Sequence, residues 1–365
     1  MSKRRSAPQS IVRLELALQG GGAHGAFTWG VLDRLLDEPR LCIVAISGAS
    51  AGAINAVLVA YGLGRGGATP AQCALWQFWK GVARSASAMR AAGAAFDLLA
   101  PPAALSSGAF APFALWAATH AAWQASTEHA MRSAGALPHD IGPLGALLAR
   151  TVDFESLRRP DAVQLFLSAT EVATGELRVY RNADLSPAAV LASACLPQLF
   201  RAVEIDGRAY WDGGYLANPP LAPLIAESEA DDLLIVQLNP PRRTDLPAGP
   251  EAIADRINEI AFNASLVNEL RGIAALKRAL LAPPVKGQLR EPLLDRLFRL
   301  RLHRIAADEG DYSPGARGKF NPEWSYLQRL HHRGRETAGT WLSHHGGTLG
   351  RDSTFCGDEH DGVKG

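Results

Sequence analysis

Ser50 lies in the pattern Gly-x-Ser-x-Gly, which places a serine hydroxyl on a tight turn between a strand and a helix. Small flanking residues relieve crowding at such a turn, and the start of the following helix favours negative charge on the oxygen. A serine in this position can act as the nucleophile in acyl transfer when a base accepts its proton. The chain has 35 glycines, so the pattern has weight only in the right structural setting. The pattern consists of Gly48, Ala49, Ser50, Ala51 and Gly52.

A run of three glycines upstream of this serine is a candidate oxyanion hole. It follows a predicted strand over residues 12–18 and precedes a predicted helix, where unpaired amides can hold a developing negative charge. The run also matches the dinucleotide-binding fingerprint, but residues 41–52 contain no acid to hold the ribose. The spacing therefore favours an oxyanion loop, with close packing of the helix on the strand as the alternative. The run consists of Gly20, Gly21 and Gly22.

Asp212 is the candidate base, because it is followed by Gly213 and Gly214 at the end of a predicted hairpin strand. The hairpin turns at Asp206 and Gly207, so Asp206 is expected to be a turn residue. Two glycines after Asp212 allow its carboxylate to project freely. An unperturbed aspartate has a pKa of about 3.9 and is a weak base, so this role requires a preorganised and partly desolvated site.

The elements around the first two motifs predict how they are positioned. A strand over 12–18 leads into the glycine run, an amphipathic helix ends at Pro39, and a buried strand over 41–46 leads into the serine turn. This βαβ unit must cross over in the right-handed sense, so both loops emerge at the carboxyl ends of neighbouring parallel strands. We therefore expect the glycine run and Ser50 to lie side by side. A further buried strand is predicted over 231–238.

Composition narrows the class of protein. The 365 residues are 47% hydrophobic and 20% charged with a net charge of +1, which allows a large core and gives no indication of nucleic-acid binding. Four scattered cysteines indicate a reducing compartment, and we find neither a secretory signal nor a membrane span. These features predict a cytoplasmic protein that contacts the inner membrane surface peripherally. Nothing in the motifs requires a cofactor, and no metal site is predicted.

The order of the three motifs resembles the patatin-like phospholipase family. The glycine run continued by His24 and Gly25 resembles the family's oxyanion loop, the serine pattern its nucleophile elbow, and Asp212 with its two glycines the motif of the dyad aspartate. Segments 174–176, 192–200 and 218–220 also resemble the family, and the resemblance covers about residues 12–240. The family usually has Arg or Lys where His24 stands, and this departure weakens any inference that the substrate carries a phosphate.

The resemblance implies a three-layer α/β/α fold with a mostly parallel central sheet and a lipid acyl hydrolase of the phospholipase A, lysophospholipase or esterase type. Ser50 and Asp212 would form a dyad that works through an acyl-enzyme, without a catalytic histidine. The amides of Gly21 and Gly22, together with Gly20, would hold the oxyanion. The supporting residues would be His24, Gly25, Gly48, Gly52, Gly213 and Gly214.

Two alternatives to this function remain open. One is a catalytically idle lipid-binding protein that keeps the fold. The other is an esterase with a Ser-His-Asp triad. Its histidine would come from the late histidines His303, His331, His332, His344 and His345.

The chain is predicted to divide into four parts. Residues 1–10 form a flexible N-terminal tail, and residues 11–240 form the catalytic domain. Within that domain the apolar stretch 91–126 forms a cap over the site or packs as ordinary helices. Residues 241–349 form a helical extension packed on the catalytic domain, and residues 350–365 form a disordered tail. The expected partner is a lipid ester, and the oligomeric state is not indicated.

Overall fold

An eight-stranded sheet forms the centre of the protein in a computed structural model. The structure describes residues 10–97, 141–197, 199–239, 246–281, 291–307 and 316–356. The strands are β1 (Val12–Leu18), β2 (Leu41–Gly48), β3 (Gln164–Glu171), β4 (Leu177–Arg181), β5 (Val203–Ile205), β6 (Arg208–Asp212), β7 (Asp232–Gln237) and β8 (Arg301–Ala306).

Five of these strands run parallel in the order β3-β2-β1-β7-β8. Strands β4, β5 and β6 are antiparallel and complete the sheet beside β3. The mostly parallel central sheet is therefore confirmed. Strands β5 and β6 form the predicted hairpin, in which Asp206 occupies the turn with a φ of 50°.

Ten helices are described. They are α1 (Gly25–Leu36), α2 (Ala51–Gly64), α3 (Ala68–Asp97), α4 (Gly142–Thr151), α5 (Phe154–Leu157), α6 (Pro187–Ser193), α7 (Leu221–Glu227), α8 (Pro250–Leu281), α9 (Pro292–Arg299) and α10 (Trp324–His345). Short 3-10 turns occur at Gly22–His24, Asn182–Asp184, Gly213–Tyr215 and Ala316–Phe320.

Helices cover both faces of the sheet because successive side chains of a strand point to opposite sides. In β1, Leu16 belongs to a core shared with α1, α2, α3, α6 and α10, whereas Ala17 belongs to a second core shared with α7, α8 and α9. In β7, Leu234 faces the first core and Leu233 the second. The alternation gives the expected three layers.

The region predicted as a helical extension contains α8, α9 and α10, but it also supplies strand β8 to the central sheet. No strand was predicted there because Arg301, His303 and Arg304 make the segment strongly basic. In the structure the side chain of Arg301 donates hydrogen bonds of 2.7 and 3.1 Å to Asp232 at the start of β7. His303 also bonds Asp232, with 3.0 Å between its Nε2 and the carboxylate. Paired in this way, the basic side chains fit within the sheet.

The first part of the tail predicted over residues 350–365 packs on the sheet, and the residues beyond Cys356 lie outside the described ranges. The amide of Gly350 donates a 2.9 Å hydrogen bond to Asp232, and those of Thr354 and Phe355 donate to the Leu302 carbonyl. Burial of the Phe355 ring fixes the segment against β8. The N-terminal tail up to residue 9, and the cap beyond residue 97, lie outside the described residues. Among the described residues, none of the helices combines the length and the continuous apolar character that a membrane span requires.

Candidate active site

Ser50 lies on a strained turn between β2 and α2. Its φ of 55° and ψ of −127° lie outside the regions that a residue with a side chain ordinarily adopts. Ser193 secures this turn, because the Ser50 amide donates 3.1 Å hydrogen bonds to both its carbonyl and its Oγ. The flanking glycines are sterically required: a Cβ at Gly52 would collide with the Leu18 carbonyl, and one at Gly48 would lie 2.6 Å from Gly52. The hydroxyl is therefore held by its surroundings in an otherwise unfavourable backbone conformation.

Strand β3 aligns Asp212 with the serine turn. The end of β2 pairs with β3 at Gly48 and Leu167, and the end of β6 pairs with it at Asp212 and Ala169. Because β4 occupies the other side of β3 over this stretch, β2 and β6 lie on the same side and meet end to end. Ser50 follows Gly48 directly after Ala49, so the sheet brings the serine and the aspartate to one point.

Asp212 is fully buried and its position is fixed by its backbone. Its amide donates a 2.8 Å hydrogen bond to the Cys195 carbonyl, and its own carbonyl accepts a 2.9 Å bond from the Thr170 hydroxyl. Its carboxylate oxygen Oδ1 accepts a 2.7 Å bond from the Gly214 amide. These bonds fix the backbone of Asp212 to β3 and to the segment that follows α6, so the carboxylate has little freedom to leave the site.

Burial raises the pKa of Asp212 to about 7, although interactions with the Ser50 hydroxyl, the Gly214 amide and Lys319 act to lower it. The second carboxylate oxygen, Oδ2, is buried and has no hydrogen bond of standard geometry to the described residues. A carboxylate of this kind is half ionised near neutral pH and keeps an oxygen free to accept a proton. Both properties suit a general base.

The amides of the three glycines in the run differ in whether they are already hydrogen-bonded. The Gly20 amide donates a 2.6 Å hydrogen bond to the Asn218 side chain, so it cannot serve as an oxyanion donor as predicted. No hydrogen bond from the amides of Gly21 or Gly22 is found to the described residues. Gly22 has a φ of 58°, and a Cβ there would collide with the Lys319 carbonyl. The amides of Gly21 and Gly22 are thus the ones left for an oxyanion.

The remaining motif residues provide close packing around these groups. A Cβ at Gly25 would lie 2.6 Å from Ala51 in the helix behind Ser50. A Cβ at Gly213 would collide with the Ser168 carbonyl, and one at Gly214 would lie 2.7 Å from the Phe262 ring. These glycines let α1, β3 and α8 approach the site closely.

Sequence reasoning missed the role of Asn218, which joins the glycine run to helix α8. Its Oδ1 accepts the Gly20 amide bond, and its Nδ2 donates a 3.0 Å bond to the Phe262 carbonyl. Its own amide donates to the Ser265 hydroxyl at 3.2 Å. The sequence showed that segment 218–220 resembles the family, but it gave no sign of what Asn218 binds. Phe262 and Ser265 lie more than 40 residues further along the chain.

Gln19 extends the same buried connection. Its Oε1 accepts hydrogen bonds of 2.7 and 2.8 Å from the amides of Leu238 and Asn239, and its Nε2 donates a 2.9 Å bond to Asn263. The side chain of Asn263 in turn donates to the Asn239 carbonyl at 3.2 Å. Buried amides satisfied in this way fix one arrangement of β1, β7 and α8 around the glycine run.

Replacing Asn218 with alanine is expected to lower both stability and activity. Loss of its buried hydrogen bonds should reduce the free energy of unfolding by about 1–3 kcal/mol. Because the Gly20 amide would lose its anchor, the glycine run would shift and kcat for ester hydrolysis should fall roughly 10- to 100-fold. Denaturant unfolding and steady-state kinetics measure the two effects.

Asn182→Ala is the matched control for this substitution. Asn182 makes three side-chain hydrogen bonds, one more than Asn218, to the backbone of Leu157, Val163 and Leu165 at the amino end of β3. We expect a similar loss of stability with an unchanged kcat. Equal kcat losses in the two variants would contradict a positioning role for Asn218.

No late histidine lies beside Ser50 among the described residues. His303 bonds Asp232 at the amino end of β7, whereas Ser50 follows the carboxyl end of β2 in the same parallel array. His331 bonds Asp33 on α1 at 3.0 Å, and His332 faces Glu336 at 3.2 Å. His344 and His345 end α10 beside Trp341. The described chain therefore supplies no triad from these five histidines.

His24 ends the 3-10 turn Gly22–His24 directly before α1, and its imidazole is buried next to the glycine run. Burial, followed by the charge of Lys319, lowers its pKa to about 3, so its ring is neutral. Its Nε2 has no hydrogen-bond partner among the described residues. Within the same ranges, no three His, Cys, Asp or Glu side chains converge in an arrangement that could hold a metal ion.

Comparison with known proteins places the chain in a family. The family model for patatin-like phospholipases matches residues 16–225. VipD from Legionella pneumophila is similar with a TM-score of 0.41 and 16% identity, over 93% of this chain and 68% of that chain. A chain of the heterodimeric ExoU-SpcU complex, from the type III secretion system of Pseudomonas aeruginosa, is similar with a TM-score of 0.38 and 16% identity. The match covers 92% of this chain and 51% of that chain. No curated protein matches the sequence. Because the family model matches more than half of the residues, the chain belongs to the patatin-like phospholipase family.

Proposed function

We propose that the protein is a lipid acyl hydrolase in which Ser50 is the nucleophile and Asp212 is the base. The observation that carries the proposal is the approach of a serine on a strained turn to a fully buried carboxylate. The interaction of the Ser50 hydroxyl with the Asp212 carboxylate gives the proton a short path. Phospholipase A, lysophospholipase and esterase activities all use this chemistry, and a Ser–Asp dyad suffices for each.

The first half of the reaction forms an acyl-enzyme. Asp212 accepts the proton of the Ser50 hydroxyl as its Oγ attacks the ester carbonyl carbon. The carbonyl oxygen becomes negatively charged and accepts hydrogen bonds from the amides of Gly21 and Gly22. The tetrahedral intermediate then collapses, the alcohol leaves with the proton from Asp212, and the acyl group stays on Ser50.

The second half returns the free enzyme. Asp212, now ionised again, accepts a proton from a water molecule that attacks the acyl carbon. The same two glycine amides stabilise the second oxyanion. Collapse releases the fatty acid, and the proton passes from Asp212 back to the Ser50 oxygen. Over the full cycle the ester and one water molecule are consumed, and Ser50 and Asp212 return to their starting states.

An exposed apolar strip supports a lipid substrate over a water-soluble ester. Ile253, Ile257 and Ile260 recur on one face of α8, and Phe320 lies in the 3-10 turn that packs on this helix. Their exposed fractions range from 45% to 62%. Phe320 follows Lys319, whose carbonyl contacts Gly22, so the strip adjoins the glycine run. Aliphatic chains or a lipid surface would cover such a strip favourably.

Covalent labelling tests the proposal directly. A fluorophosphonate reagent, which reacts with activated serines, should add one organophosphoryl group per protein molecule at Ser50. Peptide mass spectrometry locates the group, and hydrolysis of a short-chain nitrophenyl ester should stop in parallel. The denatured protein, which keeps the serine but loses the geometry, is the control and should not be labelled.

Two results would favour the alternatives. A folded protein that is neither labelled nor active on any of a panel of lipid esters would indicate the catalytically idle lipid-binding protein. Labelling at Ser50 combined with loss of turnover on replacing one late histidine would indicate the triad esterase.

A further inference from the structure

Lys319 is a buried lysine next to the candidate site that the reaction above does not use. It lies in the 3-10 turn Ala316–Phe320, well beyond the residues matched by the family model, and only 9% of it is exposed. Its backbone carbonyl packs against Gly22, where a Cβ atom would collide with it. Its Nζ donates a 2.6 Å hydrogen bond to the Asn258 side chain on α8. Two elements of the C-terminal region therefore hold this ammonium group beside the glycine run.

Phe262 connects Lys319 with the aspartate motif. The Nζ of Lys319 lies 5.2 Å from the centre of the Phe262 ring, close enough for a cation–π interaction. The same ring packs against Gly214, whose amide is bonded to the Asp212 carboxylate. The ring thus contacts both the ammonium group and the aspartate motif.

The charged groups around Lys319 determine what it can do. It interacts electrostatically with Asp212 on β6 and with Asp255 and Glu259 on α8, and it faces the neutral His24 at the start of α1. Burial lowers the Lys319 pKa to about 8, while the three carboxylates act to raise it. The lysine therefore stays largely charged at pH 7. With three carboxylates around one ammonium, this place is unsuited to a further anion such as a substrate phosphate.

Asp212 has few other groups that could favour its charged form. It faces the Ser50 hydroxyl, the Gly214 amide, Lys319 and the Cys195 thiol. Burial raises the Cys195 pKa to about 11 against the opposing effect of a backbone hydrogen bond at Val203, and the Asp212 charge adds a smaller increase, so the thiol is neutral. Lys319 is the only cation that acts on Asp212 among the described residues.

We infer that Lys319 is a positioning residue for the dyad, whose buried positive charge favours the ionised form of the Asp212 carboxylate and so makes it available as a base. The inference rests on the proposed function, since it matters only if Asp212 accepts the serine proton. It gives the segment 316–320, together with residues 258–262 of α8, a supporting role in the site. The mutual effect is reciprocal: each charge must shift the titration of the other by the same free energy.

The pH profile of the full-length Lys319→Met protein tests the inference. In the wild type, kcat/KM for a neutral nitrophenyl ester should fall as the pH drops through the titration of Asp212 near pH 7. Without the lysine charge, this acid limb should move upward by about one pH unit, a roughly tenfold loss of kcat/KM at pH 6 with a smaller loss at pH 9. Lys319→Arg keeps the charge and should restore the wild-type limb.

Lys277→Met is the matched control. Lys277 is a half-buried lysine of the same helix α8 and has a lowered pKa, caused first by burial and then by the charge of Arg301. Its ammonium bonds the carbonyls of Leu297 and Leu300, away from the candidate site. Its replacement should destabilise the protein without moving the acid limb. An acid limb that stays in place in Lys319→Met, or moves equally in Lys277→Met, overturns the inference.

A reciprocal measurement needs no Lys319 variant. In Asp212→Asn, Lys319 loses a neighbouring negative charge, so its pKa should fall and its acetylation at pH 7 should become faster. Mass spectrometry at Lys319 follows the rate, and an unchanged rate would contradict the inference. Failure of the proposed function looks different, because then the wild-type protein itself neither hydrolyses esters nor reacts at Ser50.

Discussion

Replacement of Ser50 with alanine is expected to lower kcat for ester hydrolysis by about 10⁴-fold or more, because no acyl-enzyme can form without the hydroxyl. The fold should survive, since alanine fits the same space and the amide bonds to Ser193 come from the backbone of residue 50. Circular dichroism and the unfolding midpoint should match those of the wild type. Kinetics with nitrophenyl and phospholipid esters measure the activity.

Ser47→Ala is the control that isolates the position of the hydroxyl. Ser47 lies on β2, three residues before Ser50, is fully buried, and its hydroxyl has no hydrogen-bond partner among the described residues. Its loss should leave kcat within about twofold of the wild type, because nothing depends on that oxygen. If Ser50→Ala keeps substantial activity, or if Ser47→Ala loses as much, Ser50 is not the nucleophile.

The part of the fold that could be predicted is the part set by local patterns. A glycine run after an alternating strand, and a serine turn after a buried one, fix the βαβ unit and the edge of the sheet at which its loops emerge. The Asp-Gly turn and the alternation around it give the hairpin that ends at Asp212. The formation of these elements depends on residues that are close in sequence, so they could be predicted from the sequence alone.

Long-range pairing explains what could not be predicted. Strand β8 carries Arg301 and His303, and only their bonds to Asp232 on a neighbouring strand make such residues acceptable inside the sheet. The packing of segment 350–356 also involves this carboxylate, which accepts a hydrogen bond from the Gly350 amide. A residue whose partner is distant in sequence looks exposed when only its neighbours are considered.

A partner distant in sequence also explains why the amide of Gly20 differs from those of Gly21 and Gly22. Gly20, Gly21 and Gly22 are chemically identical in sequence, and only the side chain of Asn218 decides that the first amide is occupied. Asn218 is in turn held by the backbone of Phe262 on α8. The family model ends before α8 begins, yet α8 closes the site around the motifs that the model contains.

Replacement of Asp212 with asparagine is expected to reduce kcat by about 10³-fold or more while making the protein more stable. Asparagine cannot accept the serine proton, but its Oδ1 can still accept the Gly214 amide bond. The stability gain follows from burial, which raises the carboxyl pKa from 3.8 to about 7. Denaturant-induced unfolding at several pH values between 4 and 8 measures the gain in stability, and steady-state ester hydrolysis measures the loss of kcat.

The dependence of this stability gain on pH has a definite sign. Below about pH 4 both the folded and the unfolded wild type hold the proton, so the carboxyl group makes no difference. Between pH 4 and pH 7 the folded state binds more protons than the unfolded state, and stability is lost progressively as the pH rises. Above pH 7 the ionised carboxylate costs the wild type about 2–4 kcal/mol relative to the neutral asparagine.

Asp206→Asn, in the hairpin turn, should change neither activity nor this pH dependence. If the Asp212→Asn protein is less stable than the wild type at pH 8, other interactions must offset the cost of burying the ionised carboxylate. The proposal that Asp212 is a base that destabilises the fold would then be wrong.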